Sequence, residues 1–333
     1  MMFLDFPIVV AAAPILAVLI SYYVNLLLIQ WKTAAILDYP NSRSLHETPV
    51  PRIGGLALLL GAMLSWRLFA VNLPVSVWLS IIVLISISIA DDLWKMPVWS
   101  RLCVHSLAAA VFSFLTIDTQ DGHIQICLLL AIIWMTNLYN FMDGSDGLAG
   151  GMTLIGFGYY GLAAYLSNNI DFTVINLSIA AAALGFLLHN FHPARIFLGD
   201  SGSIPLGYLA AVIGFLGWLH ELWSLWVPLL IFSPFIVDAS ITLIKRLFHG
   251  EKIWQAHRNH YYQRLVQSGL GHRNTALLGY ALMLAAGACA VWMNTQDLTV
   301  QSITVAAWGG LYLGLMLMLD LNHKPYSNEK IKQ

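Results

Sequence analysis

The sequence predicts an all-α fold: a polytopic transmembrane helical bundle of about eleven spans, with the N-terminus outside and the C-terminus cytoplasmic. Three observations predict it. Of 333 residues, 59% are apolar and only 10% are charged, with a mean hydropathy of +0.72, whereas a soluble domain carries about a quarter charged residues. The apolar residues fall into runs close to the ~20 residues that a helix needs to cross about 30 Å of hydrocarbon, where every backbone polar group must be satisfied internally. Finally, Lys and Arg collect in every second connection between those runs, as they do when short loops carrying them stay on the cytoplasmic side.

The runs lie at about 7–30, 53–71, 75–90, 101–117, 123–140, 149–166, 172–189, 203–219, 225–244, 275–293 and 300–319. The first continues well past the length of a signal-peptide core and has no Lys or Arg before it, so it is read as a retained span. Lys32, Arg43 and Arg52 follow the first run, Lys95 and Arg101 flank the connection after the third, and Arg195 follows the seventh. Six more basic residues, Lys245 to Arg273, crowd the loop after the ninth, and Lys324, Lys330 and Lys332 close the tail. Arg67 alone falls on the other side, near a span end from which it can snorkel. The opposite connections carry Asp118, Asp121, Asp171 and Asp297 without any Lys or Arg. No repeat or soluble segment interrupts the pattern, so residues 1–333 are read as a single integral membrane domain, with the inner loop at about 245–274 as a candidate specificity element.

The net charge of −1, with no basic arm, excludes a nucleic-acid partner. Cys103, Cys127 and Cys289 lie in apolar runs without metal-ligand spacing and are read as packing residues of the membrane core.

Polar residues on the inner side form five clusters: Asp38 to Gly55 (DYPNSRSLHETPVPRIGG), Asp91-Asp92, Asn137 to Gly147 (NLYNFMDGSDG), Phe197 to Ser203 (FLGDSGS) and Ala256 to Leu265 (AHRNHYYQRL). Asp91, Asp92, Asp143, Asp146 and Asp200 sit at helix ends near the interface, where an unpaired charge is costly and usually functional. A single Asp in such a place is more often a helix cap, and Asp200 stands where an N-cap would. Five on one face favour a hard cation with oxygen ligands, and magnesium, which binds through one or two carboxylates plus substrate phosphates, fits best, with manganese as its substitute. Gly144, Gly147, Gly199 and Gly202 permit tight turns and close backbone approach, though membrane helices also use glycine for packing. There is no GxxxxGK[ST], which excludes a P-loop. Arg43, His46, Arg52, His257, Arg258, His260 and Arg264 supply the complementary charge for phosphate groups. His105, His189 and His192 are assigned structural roles, and Asp238, an intramembrane carboxylate after Pro234, is expected to orient the last loop or a neighbour.

These motifs, in order over roughly residues 38 to 265, resemble the polyprenyl-phosphate N-acetylhexosamine 1-phosphate transferase family, of glycosyltransferase family 4 type. The resemblance implies transfer of a sugar 1-phosphate from a UDP-linked N-acetylated sugar to undecaprenyl phosphate, with release of UMP, in a bacterial inner membrane whose lipids surround the enzyme. It further implies that Asp91 and Asp92 handle the prenyl phosphate and catalysis, that Asp200 ligates magnesium, and that Asn137, Asn140, Asp143, Asp146 and Gly199 line the nucleotide and metal site. His257, Arg258 and His260 occupy the place of the family's final histidine motif, and dimerisation through membrane helices is implied as well. Where many relatives carry His-x-His or three histidines, this chain has AHRNHYYQRL, which is similar to an O-antigen-initiating subgroup using UDP-N-acetylfucosamine or UDP-N-acetylquinovosamine; UDP-GlcNAc is the alternative donor. Arg101 stands where relatives often have Lys. Direct attack by the lipid phosphate and prior attack by an aspartate both stay open. The rival class is a secondary transporter of an anionic solute, but carriers place charges near the midplane and often show inverted repeats, neither of which is seen here.

Overall fold

The computed structural model describes residues 6–31, 37–40, 49–94, 96–117, 121–252 and 257–322. Each of the eleven apolar runs is helical. They form α1 (Phe6–Gln30), α2 (Gly54–Leu68), α3 (Val75–Trp94), α4 (Val98–Leu115), α5 (Gly122–Phe141), α6 (Leu148–Leu166), α7 (Ile170–Asn190) and α8 (Asp200–Leu219). After these come α9 (Trp226–Ile231), α10 (Ser233–Phe248), the short α11 (Tyr261–Leu265) leading through a π-turn (Val266–Leu270) into α12 (Gly271–Met293), and α13 (Leu298–Asn322). The only strands among the described residues are β1 (Leu37–Asp38) and β2 (Val50–Pro51), an antiparallel pair matching Leu37 to Pro51. The predicted all-α membrane fold is thus what forms, with eight helices among the described residues long and apolar enough to cross a membrane.

Several element bounds depart from expectation for identifiable reasons. The ninth run is broken at Phe232 into α9 and α10, because Pro234 in the first turn of α10 has no N–H to give to a continuing helix. α10 carries on to Phe248, ending in Lys245 and Arg246, whose charges suit the carbonyl end of a helix. α4 starts three residues early behind Pro97, whose extended backbone delivers the chain to its first turn. Much of the expected loop at 245–274 is helical, in the end of α10, in α11 and the π-turn, and in the start of α12. Cys103 and Cys127 face outward, and Cys289 is half-buried, so two of the three cysteines contact the bundle's surroundings instead of its core.

α7 and α8 form the centre, with 72% and 78% of their spanning windows buried, whereas α13 at the rim is only 11% buried. α1, α2 and α6 pack on α7, while α2, α3 and α5 pack on α8. The closest approach is between α2 and α8, where Gly55 and Gly202 meet backbone to backbone, so that a Cβ on Gly202 would stand 2.5 Å from the Gly55 Cα. Neither backbone can yield there, since each is locked in its own helix. Gly202→Val should therefore lower the unfolding free energy in detergent by about 1–3 kcal/mol, the usual cost of forcing atoms into a packed core, read as a fall in the thermal midpoint; an unchanged midpoint would contradict this packing.

Candidate active site

The backbone hydrogen bonds around the α2–α8 contact also build the floor of a site. Phe197 N–H donates to Pro51 O (2.7 Å), Gly54 N–H to Phe197 O and Gly55 N–H to Leu198 O (both 2.9 Å). The PRIGG motif, ending at Gly55, and the FLGD motif, starting at Phe197, are far apart in the sequence and are thereby zipped together. Within the second motif Gly199 stands at φ +73°, a conformation open to glycine, and a Cβ there would collide with the Arg52 carbonyl. This turn makes Asp200 the first residue of α8 and Gly199 its N-cap, with no side-chain cap. Capping is therefore not the task of the Asp200 carboxylate.

That carboxylate instead faces Arg101 of α4. Arg101 Nη1 reaches Asp91 Oδ2 at 2.8 Å and Asp200 Oδ2 at 3.3 Å, joining the end of α3 to the start of α8. The other Asp91 oxygen accepts from Met96 N–H (2.7 Å), and Asp92 is paired with Arg52. Asn140 Oδ1 accepts from Ser203 Oγ at 3.0 Å, fastening α5 one turn into α8, while Asn137 donates to Ile133 O (2.7 Å) and faces His105 Nδ1 at 3.3 Å. Asp143, half-exposed by surface yet crowded by protein, is raised well above the usual carboxylate range, by burial first and then by the charge of Asp200, partly offset by the Gly199 amide. Asp91, Asp92, Asp143 and Asp200 thus share one end of the bundle with two guanidinium groups. Their donor set is all oxygen, the chemistry that suits a hard cation such as magnesium, and among the described residues no three His, Cys, Asp or Glu side chains converge as a metal cage.

Asp146 stands in a different setting. Its Oδ2 accepts from His192 Nδ1 (2.6 Å) and Ala194 N–H (3.1 Å), and His272 Nδ1, 3.9 Å from Oδ1, is 3.0 Å from Ser145 Oγ. The two histidine rings stack at 5.5 Å. His192, read from the sequence as a bland packing residue, is thus a direct partner of a predicted site residue, and His272 was missed altogether, since a lone histidine at a helix start carries no spacing signal. His189 stacks on Tyr22 at 4.7 Å, as a structural residue would.

The last loop reaches the same end of the molecule. Asp238 accepts the N–H groups of Tyr261 and Tyr262 (2.9 Å each) and lies 3.3 Å from His260 Nδ1, so it does orient this loop. Tyr262 OH donates to Phe141 O (3.0 Å), bringing α11 against the DGSDG turn at Gly144. His260 is buried, stacked between His257 (4.7 Å) and Tyr262 (5.9 Å), and Arg258 is exposed. Arg264 does not join the acidic cluster: it is held by Asp320 at 2.7 Å. Arg43 and His46 lie outside the described residues.

Residues 74–217, which include Asp91, Asp92, Asp143, Asp146 and Asp200, match the family model described as Glycosyl transferase family 4. Over 264 residues the chain is 30% identical to the probable undecaprenyl-phosphate N-acetylglucosaminyl 1-phosphate transferase of Bacillus subtilis (strain 168), covering 74% of each chain. The chain belongs to glycosyl transferase family 4. It is also 31% identical over 316 residues to the decaprenyl-phosphate N-acetylglucosaminephosphotransferase of Mycolicibacterium smegmatis (strain ATCC 700084 / mc(2)155), covering 79% of this chain and 77% of the relative. Against the phospho-N-acetylmuramoyl-pentapeptide-transferase of Latilactobacillus sakei subsp. sakei (strain 23K) the identity is 28% over 246 residues, 64% of this chain and 75% of that one. The family model ends before α9, so in this family 4 chain the last loop must be judged on its own geometry.

There, burial, and after it the neighbouring His260 and Arg246, push His257 down to about 4. Between pH 6.5 and 4 the unfolded chain therefore takes up a proton at this position that the folded chain refuses, so stability is lost as pH falls through that window. Asp143 has the opposite sign: the folded carboxyl holds its proton above the ordinary 3.8, and stability falls as pH rises past that value. His257→Asn should flatten the slope of thermal midpoint against pH between 4 and 6.5, and Asp143→Asn should leave the midpoint at pH 7 equal to or above that of the parent. A steeper acid slope in the first variant, or a lowered midpoint in the second, would refute these assignments.

Proposed function

We propose that this chain transfers a sugar 1-phosphate from a UDP-linked N-acetylated hexosamine to undecaprenyl phosphate, releasing UMP, at the cytoplasmic face of a bacterial inner membrane. The observation that carries this reading is the convergence of Asp91, Asp92 and Asp200 around Arg52 and Arg101 at one end of the helices. A diphosphate donor and a phosphate acceptor together bring several negative charges to one place, where guanidinium groups can bind them directly and carboxylates can do so through a bound cation. The Lys and Arg distribution supports the cytoplasmic placement, and the names of the relatives support the lipid and sugar phosphate classes.

In the reaction, an oxygen of the lipid phosphate forms a bond to the sugar-linked phosphorus of the donor, and the bond from that phosphorus to the bridging oxygen of UMP breaks. Asp200, with Asp143 beside it, would hold magnesium, which when bound neutralises diphosphate charge as a Lewis acid; manganese is the substitute. Arg101 places its guanidinium between Asp91 and Asp200 and so sets the spacing of the acceptor and donor halves. Asp91, oriented by Arg101 and the Met96 amide, positions the acceptor phosphate and takes any proton it carries, with Asp92 steadied by Arg52 in support. Direct attack is favoured over a covalent aspartyl route because both aspartates already commit oxygens to guanidinium partners. Asn137 and Asn140 on the last turns of α5, with Asp146 in the turn after it, line the nucleotide side, and that turn is touched by Tyr262 of the last loop, whose AHRNHYYQRL sequence favours a 6-deoxy sugar such as N-acetylfucosamine or N-acetylquinovosamine and a role in O-antigen initiation.

Purified protein in detergent with magnesium and undecaprenyl phosphate would be given each of UDP-GlcNAc, UDP-N-acetylfucosamine, UDP-N-acetylquinovosamine and UDP-N-acetylmuramoyl pentapeptide, with UMP and lipid product followed. Product from a 6-deoxy donor alone is expected. Product from UDP-GlcNAc alone would overturn the donor assignment, and none from any donor would overturn the transferase reading in favour of a carrier. Asp200→Asn should cut turnover by roughly a thousandfold or more, as losing several kcal/mol of charge stabilisation requires, while the protein stays folded; full activity would remove Asp200 from the metal site.

A further inference from the structure

α13 is held to the bundle by few contacts, and the most polar of them is at its last turn. There Asp320 receives Lys245 of α10, Arg264 Nη1 of α11 (2.7 Å) and the hydroxyl of Tyr261 (3.1 Å). Lys245 Nζ and the Arg264 guanidinium lie 5.2 and 4.8 Å from the centre of the Tyr261 ring, so the ring is fixed by the same cations that fix the acid. An aspartate is the wrong charge for the carbonyl end of a helix, where the dipole already presents negative charge. Its stabilisation at that position comes from α10 and α11.

α11 needs such help. At five residues it is too short to hold itself as a helix. Asp238 ties down its first amides, as described above, and Asp320 ties down its side chains, so α11 is gripped by acids from two different helices. Immediately ahead of the gripped residues the chain presents His257 and His260, and Tyr262 contacts the DGSDG turn. The rest of α13 is fastened elsewhere, by Tyr312 OH to Ser233 Oγ and Gln301 Oε1 to Ser224 Oγ, each at 2.6 Å.

From this geometry we infer that Asp320 is a positioning residue for the donor-sugar loop: α13 acts at a distance on residues 257–265 by clamping Tyr261 and Arg264, and so sets affinity for the UDP-sugar without touching it. The inference deepens the proposed transferase reading and rests on it for the donor, but the clamp itself is testable without any turnover. Amide hydrogen exchange of the full chain in detergent would be compared for the parent, Asp320→Asn, Asp320→Glu and Tyr312→Phe. Asp320→Asn should speed exchange across 257–265 by about tenfold while α7 and α8 stay protected, and should raise the KM for the UDP-sugar about tenfold with kcat within about twofold, the signature of a residue acting through its neighbours. Asp320→Glu should restore both. Tyr312→Phe, which loosens α13 without touching the clamp, should leave 257–265 unchanged. Parent-like exchange at 257–265 in Asp320→Asn, or equal loosening there in Tyr312→Phe, would overturn the inference, the latter by making it a matter of α13 docking alone. If the parent turns over no UDP-sugar, the transferase reading fails while the exchange comparison still decides the clamp.

Discussion

The arrangement depends on one ionic bridge, Arg101 between Asp91 and Asp200. Carboxylates brought to the end of a membrane bundle lose water and repel one another, and an acid so placed either finds a cation or takes up a proton. Arg101 supplies that cation to two helices at once, and Arg52 does the same for Asp92. Asp143, in the turn beyond the spanning helices, is pushed toward the protonated form, by burial first and then by the charge of Asp200. A planar guanidinium suits the double role better than an ammonium would, since it carries several donors in a fixed fork. Among the described residues the three paired carboxylates outnumber the two guanidinium groups, and a cation bound with the donor would offset the remaining negative charge.

The bridge can form only because backbone contacts hold its ends at fixed spacing. The zipper between residues 51–55 and 197–198, and the touching glycines of α2 and α8, leave little freedom in where Asp200 begins its helix. Glycine at 55, 199 and 202 therefore serves packing and turn geometry, and only through them the site. The last loop follows the same economy. Its short helix is held at its first amides by Asp238 and on its flank by the charges gathered at Asp320, so two carboxylates far apart in sequence decide where His257 and His260 stand.

Much of the fold is legible in the residues because lipid imposes one strong rule, that apolar runs of sufficient length be helical. The break in the ninth run is legible too, in Pro234, though its consequence, a separate α10 that runs on to Lys245 and Arg246, is not. The acidic residues of the cluster stand out as charges at helix ends. Their partners are less visible. His192 looks like any histidine beside a proline until the chain folds it onto Asp146, and His272 comes from a helix more than a hundred residues further on. Arg264 reads as a phosphate ligand because it sits in a basic motif, yet Asp320 lies 2.7 Å from it and takes its charge.

What the sequence determined by itself is the class of structure and the identity of the charged groups, since both follow from local rules: hydropathy over a window, and the cost of a charge near hydrocarbon. What only the tertiary structure decided is the pairing: Arg101 with Asp91 and Asp200, Arg52 with Asp92, Asp146 with His192, Arg264 with Asp320. Electrostatic attraction between exposed charges fades over roughly 10 Å in a screened medium and depends on spatial separation, and separation along a chain says little about separation across a bundle whose helices pack by the shapes of their small residues.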